Sequence, residues 1–512
     1  MQFNSLQFAG FFAVALAGYA VLPKKVKYLW LLAASYYFYA CWNVKYAGLM
    51  LLSTALTYAA GLVLAQFPAP EPARVPIAAG IGAEEKAPET LEKAPRIRHI
   101  TLAVCLAANL AILFFFKYYN FVWDNLAALF AAAGLTFGLP QLDVLLPVGI
   151  SFYTLQAIGY TIDVYRGTIP AEKNFFRYAL FVSFFPQLVA GPIERSEHIL
   201  PQLRSLRHLN YENVVSGLLL MLWGLVQKVV IADRLGILVD RVFGASAGYG
   251  SWALAVAAVF FTFQLYCDFN SYSCIAIGAA RTMGVELMEN FNRPFLAVSG
   301  VDFWDRWHIS LSTWLRDYIY IPLGGNRKGQ PRRYLNLLLT MLLSGLWHGA
   351  AWHFVFWGLY HGVWVALSHL SRPLRDKYVA LLHINRENPI HKALCRIKTF
   401  FFVCVGYVFF RAETVGQAFS MLARMAKLTG APLQALYTLG LTQPEFWLAV
   451  ASICLLMLGE LAVAEGVSVS RTLAKGHAPL RWAVALAGLL ALACFGVYGR
   501  GADAAQFIYF QF

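Results

Sequence analysis

Residues 334–364 read YLNLLLTMLLSGLWHGAAWHFVFWGLYHGVW, with Arg332 and Arg333 just before them and Arg372 and Arg375 just after. Basic clusters beside apolar runs mark the cytoplasmic side of a membrane. Both flanks therefore belong to one side, and the chain must enter the bilayer and return. The entering run, 335–346, makes about 18 Å of helix against roughly 30 Å of hydrocarbon. The turn at Trp347, His348, Gly349 and Ala350 is thus expected at membrane depth. Gly345 and Gly349 permit close backbone approach or an irregular turn there.

The rest of the sequence has the same character. Of 512 residues, 59% are hydrophobic and 13% charged, where a soluble domain has about 45–50% and 25%. Too few polar side chains remain to cover a soluble surface. Further apolar runs at 6–22, 46–65, 214–232, 253–266, 351–368, 400–410, 447–461 and 482–497 predict about 11–13 membrane segments. The expected fold is all-α, one polytopic transmembrane domain over residues 1–512 without internal repeats. Lys24, Lys25 and Lys27 follow the first run instead of preceding it, so 6–22 reads as an uncleaved helix entering from the non-cytoplasmic side.

Residues 67–98, rich in Pro, Ala and Glu, are expected as a flexible cytoplasmic loop. Residues 193–213, with Arg195, Arg204 and Arg207, are expected as a surface loop on the same side. The net charge of +14 resides in such loops, so it reports topology and no nucleic-acid partner. Eight cysteines (Cys41, Cys105, Cys267, Cys274, Cys395, Cys404, Cys454, Cys494) form no CxxC pair and read as small buried hydrophobes.

Chemistry is expected in 284–364. At 301–329 the chain reads VDFWDRWHISLSTWLRDYIYIPLGGNRKG. Trp304, Trp307, Leu311 and Trp314 fall on one helical face, which also suits an interfacial helix with tryptophans at headgroup level. IPLGGN closes that helix with a tight turn. An ionisable group at membrane depth is a functional candidate by default, which singles out His348, with His308 beside the tryptophan stripe. A histidine satisfied by a neighbouring carbonyl is the plainer alternative, and His353 and His361 suit it better. No Asp or Glu lies between Asp317 and Asp376, and the histidines lack the i, i+4 spacing of a helical metal clamp, so no metal is expected. GxSxG and Gly-rich phosphate motifs are missing too. A buried imidazole without metal partners suits general-base work on a hydroxyl attacking an activated acyl group. Asp305, three residues before His308, is placed to orient that ring within one helical turn.

These residues resemble the membrane-bound O-acyltransferase family, in particular its bacterial branch acting on alginate-like polysaccharides. The resemblance rests on LPVGISFYTLQAIGYTIDVYRG (146–167), FFPQLVAGPIERSEHILPQL (184–203) and QLYCDFNSYSCIAIGAARTMGVELMENFNRPF (264–295). DFWDRWHISLSTWLRDYIYIPLGGNRKG (302–329), SGLWHGAAWHFVFWG (344–358), VFFRAET (408–414) and FIYFQF (507–512) complete it. It implies a helical shell with a central tunnel, His348 and His308 as catalytic residues, and Trp347, Asp268 and Asn336 as supporting ones. It implies acetyl-CoA as cytoplasmic donor, and Arg327, Lys328, Arg332 and Arg333 are candidates for the donor's phosphates. It further implies a polysaccharide acceptor (alginate-like, cellulose or peptidoglycan), a periplasmic SGNH-type acetyltransferase partner, and residence in the bacterial inner membrane among lipid. DFNSYSCIAIG departs from the family's usual DFSGYSDMAIG at Asn270, Ser271 and Cys274. D-alanyl or other acyl transfer on the same scaffold, and small-solute transport, stand as alternatives.

Overall fold

The computed structural model describes residues 1–68, 95–135, 138, 140–143, 145–427, 433–463, 466–498 and 507–508. The chain divides into two compact units. One holds the described residues up to Leu218 together with Ala276–Met288; the other holds Leu219–Ile275 and the described residues from Glu289 onward. Among the described residues every regular element is helical, apart from an isolated bridge between Phe291 and Trp307. The all-α expectation holds because a helix satisfies its own backbone polar groups in hydrocarbon, whereas an open strand does not.

The first unit contains α1 (Leu6–Val21), α2 (Lys24–Ala40), α3 (Val44–Ala65), α4 (Arg96–Leu113), α5 (Tyr119–Ala132), α6 (Ile150–Arg166), α7 (Phe175–Ser183) and α8 (Ser196–Arg204). Helices α3, α4 and α6 pack on one another, and α7 lies against α2 and α3. Left-handed glycines, Gly149 at φ 75° and Gly167 at φ 74°, bound α6 at either end. Of the expected loop at 67–98, residues 69–94 lie outside the described residues, and its end is not a loop. Arg98 is buried in α4 and donates to the carbonyls of Phe67 (2.8 Å), Val164 (3.1 Å), Tyr165 (2.6 Å) and Leu64. A buried guanidinium is tolerable only with such acceptors.

The expected surface loop at 193–213 is also corrected. It carries α8, whose Ser196, Ile199, Leu200 and Leu203 are buried at helical spacing. The buried Glu194 carboxylate meets His198 Nδ1 at 2.8 Å and accepts from the Met288 backbone N–H. Polar composition concealed an inward face.

Helix α9 (Tyr211–Val226) runs through a π-helical segment, Gln227–Ala232, into α10 (Asp233–Gly244), followed by α11 (Ser251–Thr282). After them come α12 (Gly300–Arg306), α13 (Ile309–Leu315), α14 (Gly329–His348), α15 (Trp352–Leu370), α16 (Arg372–Leu381), α17 (Pro389–Arg411), α18 (Val415–Ala426), α19 (Gln443–Ala462), α20 (Val469–Lys475) and α21 (Ala478–Phe495). Seven helical stretches among the described residues are long and apolar enough to cross a bilayer: α3, α4–α5, α9–α10, α11, α17, α19 and α21. The chain is a multi-pass membrane protein. Helix α1 is apolar but shorter, and neither α14, with its polar first turns, nor α15, with its three histidines and three tryptophans, is among the seven. The most apolar stretch of α11 is 72% buried and that of α21 0%, which separates a helix packed among protein from an apolar one left exposed, as a lipid-facing helix would be. The cysteines divide the same way, with Cys105, Cys267, Cys274 and Cys404 buried and Cys41, Cys454 and Cys494 exposed.

Candidate active site

Helix α14 ends at His348, Gly349 leaves it in extended conformation, and α15 starts at Trp352. The reversal therefore stands where the apolar run and its glycines place it, although α14 starts at Gly329 and takes Arg332 and Arg333 into its first turns. The two helices meet backbone to backbone. A Cβ on Gly345 would collide with the Phe354 carbonyl oxygen and lie 3.2 Å from Gly358 Cα and N. This contact fixes His348 at the tip of the hairpin. Its ring is buried, with ring centres of Trp347 and Trp357 each 4.9 Å away and that of Phe410 5.3 Å away.

The single helix expected through Trp304–Trp314 is broken. Helix α12 stops at Arg306, His308 adopts φ 45° and ψ 53° in the left-handed region, and α13 restarts at Ile309. Trp304, Trp307, Leu311 and Trp314 are all buried, so the stripe is core and not a headgroup belt. The turn expected to carry Asp305 to the His308 ring does not exist; Asp305 is exposed and His308 buried, with the kink between them. The IPLGGN turn forms as expected, with Gly324 and Gly325 both at positive φ.

The kink delivers His308 to the hairpin. Its ring meets Phe269 of α11 edge-on at 4.6 Å and Trp347 at 5.7 Å, and stands 6.2 Å from the ring of His348. Two buried imidazoles thus stand among aromatic rings, Phe269 beside His308, Trp357 and Phe410 beside His348, and Trp347 beside both. Among the described residues no three His, Cys, Asp or Glu side chains gather as metal ligands.

The other candidates scatter around this pair. Trp347 lies beside both imidazoles, its ring centre 5.7 Å from that of His308 and 4.9 Å from that of His348. Asp268 precedes Phe269 but is engaged elsewhere: Lys228 Nζ donates to its Oδ1 at 2.7 Å, and the Ile508 backbone N–H to its Oδ2 at 2.8 Å. Lys228, also 2.9 Å from Asp233 Oδ1, was not singled out by sequence reasoning, although a lone lysine in the apolar run 214–232 was the available signal. It occupies the π-helical segment, a distortion common at functional sites. Asn336 stands about 18 Å along α14 from His348, and its Nδ2 donates to the Gly325 carbonyl at 3.1 Å. It braces the IPLGGN turn instead of the imidazoles.

Arg327 and Lys328 are exposed, while Arg332 and Arg333 are half-buried, with Arg333 Nη2 3.1 Å from His369 Nδ1. His353 takes the plain course, its Nδ1 3.2 Å from the Phe409 carbonyl. His361 is buried behind Trp357, ring centres 4.9 Å apart. The departing motif residues form a local set, with Asn270 Nδ2 donating to Gln227 Oε1 at 2.9 Å and Cys274 Sγ 3.9 Å from Asn270 Oδ1.

The family model described as MBOAT, membrane-bound O-acyltransferase family, matches residues 170–410, a range containing both imidazoles. A probable alginate O-acetylase of Azotobacter vinelandii is 39% identical over 428 residues, covering 83% of this chain and 78% of that protein. The chain belongs to the membrane-bound O-acyltransferase family. This acyltransferase is also 35% identical to a peptidoglycan O-acetyltransferase of Helicobacter pylori over 465 residues, 85% of this chain and 81% of the relative. A teichoic acid D-alanyltransferase of Bacillus subtilis is 27% identical over 275 residues, 52% of this chain and 69% of the relative. With membership the chain is an O-acyltransferase, and the small-solute transporter alternative falls away.

Proposed function

We propose that the protein moves an acetyl group from cytoplasmic acetyl-CoA toward hydroxyls of an exported or cell-surface polysaccharide, with His348 and His308 as its catalytic pair. The single observation carrying this reading is the 6.2 Å approach of the two rings inside aromatic walls. In the proposed step, His348 takes the proton of the acceptor hydroxyl as its oxygen attacks the thioester carbonyl carbon. The C–S bond then breaks, and the imidazolium returns the proton to the departing thiolate. His308 orients the reactants or stabilises the developing oxyanion, and the aromatic walls strengthen that stabilisation by excluding water. The reading requires a tunnel giving the donor access from one face and the acceptor from the other.

Arg332 and Arg333 stand roughly 23 Å along α14 from His348, a separation suited to the pantetheine arm of a donor whose phosphates they and Arg327 and Lys328 would engage. The proposal includes the bacterial inner membrane as location and a periplasmic SGNH-type protein as the carrier to the polymer. Greater identity and coverage toward the alginate and peptidoglycan O-acetyltransferases than toward the D-alanyltransferase favour acetyl as the acyl group.

The test is acetyl transfer from acetyl-CoA by purified full-length protein. His348→Ala should lower turnover at least ~100-fold while the protein stays monodisperse and melts as the parent does. Parental turnover in that variant removes His348 from the chemistry; activity with a D-alanyl thioester alone changes the acyl group.

A further inference from the structure

The left-handed backbone of His308 (φ 45°, ψ 53°) is a conformation that an L side chain keeps only where its surroundings hold it. The holding group is Asn290, fully buried at 0% exposure. Its backbone carbonyl accepts from the Ile309 N–H at 2.9 Å, its Oδ1 accepts from Ser310 Oγ at 2.6 Å, and its Nδ2 donates to Ser273 Oγ at 3.1 Å. It therefore grips both residues that follow His308. On the preceding side, Phe291 bridges Trp307, and the Asn292 N–H donates to the Arg306 carbonyl at 3.0 Å. The short run 290–292 thus lies alongside 306–310 and fixes the kink on both flanks.

The anchor matters as much as the grip. Ser273 and Phe269 are four residues apart on α11 and so share one of its faces. Phe269 is the wall against which the His308 ring rests at 4.6 Å. One rigid helix therefore sets both the ring's seat and the clamp that turns the ring into it. Without the clamp, α12 and α13 would be free to continue as one helix, whose tryptophan stripe has the required period, and His308 would rotate out of the pair.

We infer that Asn290 is the positioning residue of the acyltransferase, holding His308 in its strained conformation opposite His348. This rests on the proposed role of the imidazole pair, and the test separates the two. CoA thiol release from acetyl-CoA is followed over a range of donor concentrations for purified full-length parent, Asn290→Ala, Ser310→Ala and His308→Ala, each also melted in detergent. Asn290→Ala should lower kcat ~100-fold with KM within about twofold of the parent, and Ser310→Ala should lower kcat about tenfold with the same split. Parental kcat in folded Asn290→Ala overturns the inference, as does a loss matched by the loss of folded protein. Should Asn290→Ala not fold, Ser310→Ala decides by the same signature, and parental kcat there overturns it. Parental kcat in His308→Ala instead brings down the imidazole pair itself, and the clamp's purpose with it.

Discussion

Gly345→Ala puts the hairpin under a load that its geometry makes calculable. The added methyl would strike the Phe354 carbonyl oxygen and stand 3.2 Å from Gly358 Cα and N, where carbon atoms prefer about 3.5–4.0 Å. Backbone cannot step aside as a side chain would, so α14 and α15 must part by about 1 Å. Such overpacking destabilises by roughly 1–3 kcal/mol. The larger effect falls on turnover, because His348 follows Gly345 by three residues on the same last turn and shares its displacement. On the proposed role of His348, an error of about 1 Å there lowers the rate ~100-fold, close to 2.7 kcal/mol of barrier. Acetyl transfer from acetyl-CoA, measured on protein shown to be folded, is the assay. Gly459→Ala is the control, since a Cβ there meets nothing within 4 Å. Parental turnover in Gly345→Ala would mean that the helix contact does not set the position of His348.

Two further outcomes follow from charges away from the imidazoles. Lys228→Met leaves Asp268 and Asp233 buried without their cation and should destabilise by about 3–5 kcal/mol; thermal unfolding in detergent checks it, and adding Asp268→Asn should restore part of the loss. His198 is held above its ordinary value, first by its hydrogen bond to Glu194, with Glu286 and Glu197 adding their charge. Burial likewise raises Glu194, so both groups bind protons more tightly folded than unfolded. The His198 contribution is complete below about pH 6.5, the free histidine value, and is lost as pH rises through the raised one; the Glu194 contribution falls in the same direction, starting from the free carboxylate value of about 4.3. The melting point of the parent should fall relative to that of His198→Gln across this window, and parallel curves would exclude the linkage.

Local pattern and long-range contact account for what the sequence disclosed and what it hid. The reversal after His348 was legible because apolar length, basic flanks and two glycines all bear on the same few residues. The break at His308 was not, because the Trp304–Trp314 stripe keeps helical period straight through it. What breaks the helix is Asn290, eighteen residues away in sequence by the numbering, through hydrogen bonds that no local periodicity encodes. The geometry expected for Asp305 failed for the same reason, since its helical-turn relation to His308 presumed an unbroken helix. Lys228 was locally visible as a charge in an apolar run, but its partner Asp268 lies on another helix. Arg98 and Glu194 were hidden by composition, which records polarity and not direction; each points inward to acceptors or donors that only the fold supplies.

The exposure of α21 carries a consequence for the membrane that houses the enzyme. Eighteen residues give about 27 Å of helix, a little short of a typical hydrocarbon core of roughly 30 Å, whereas α9–α10 runs for 34 residues, about 51 Å. Only 214–232 of that longer stretch is apolar, about 28 Å, so its charged remainder stands outside the hydrocarbon and the same slightly thinned bilayer suits both helices. The acyl-chain length of the host phospholipids thereby becomes a mechanical variable of this protein, acting on α21 and, through the Val497 N–H to Val229 carbonyl bond of 3.0 Å, on the π-helical segment that carries Lys228.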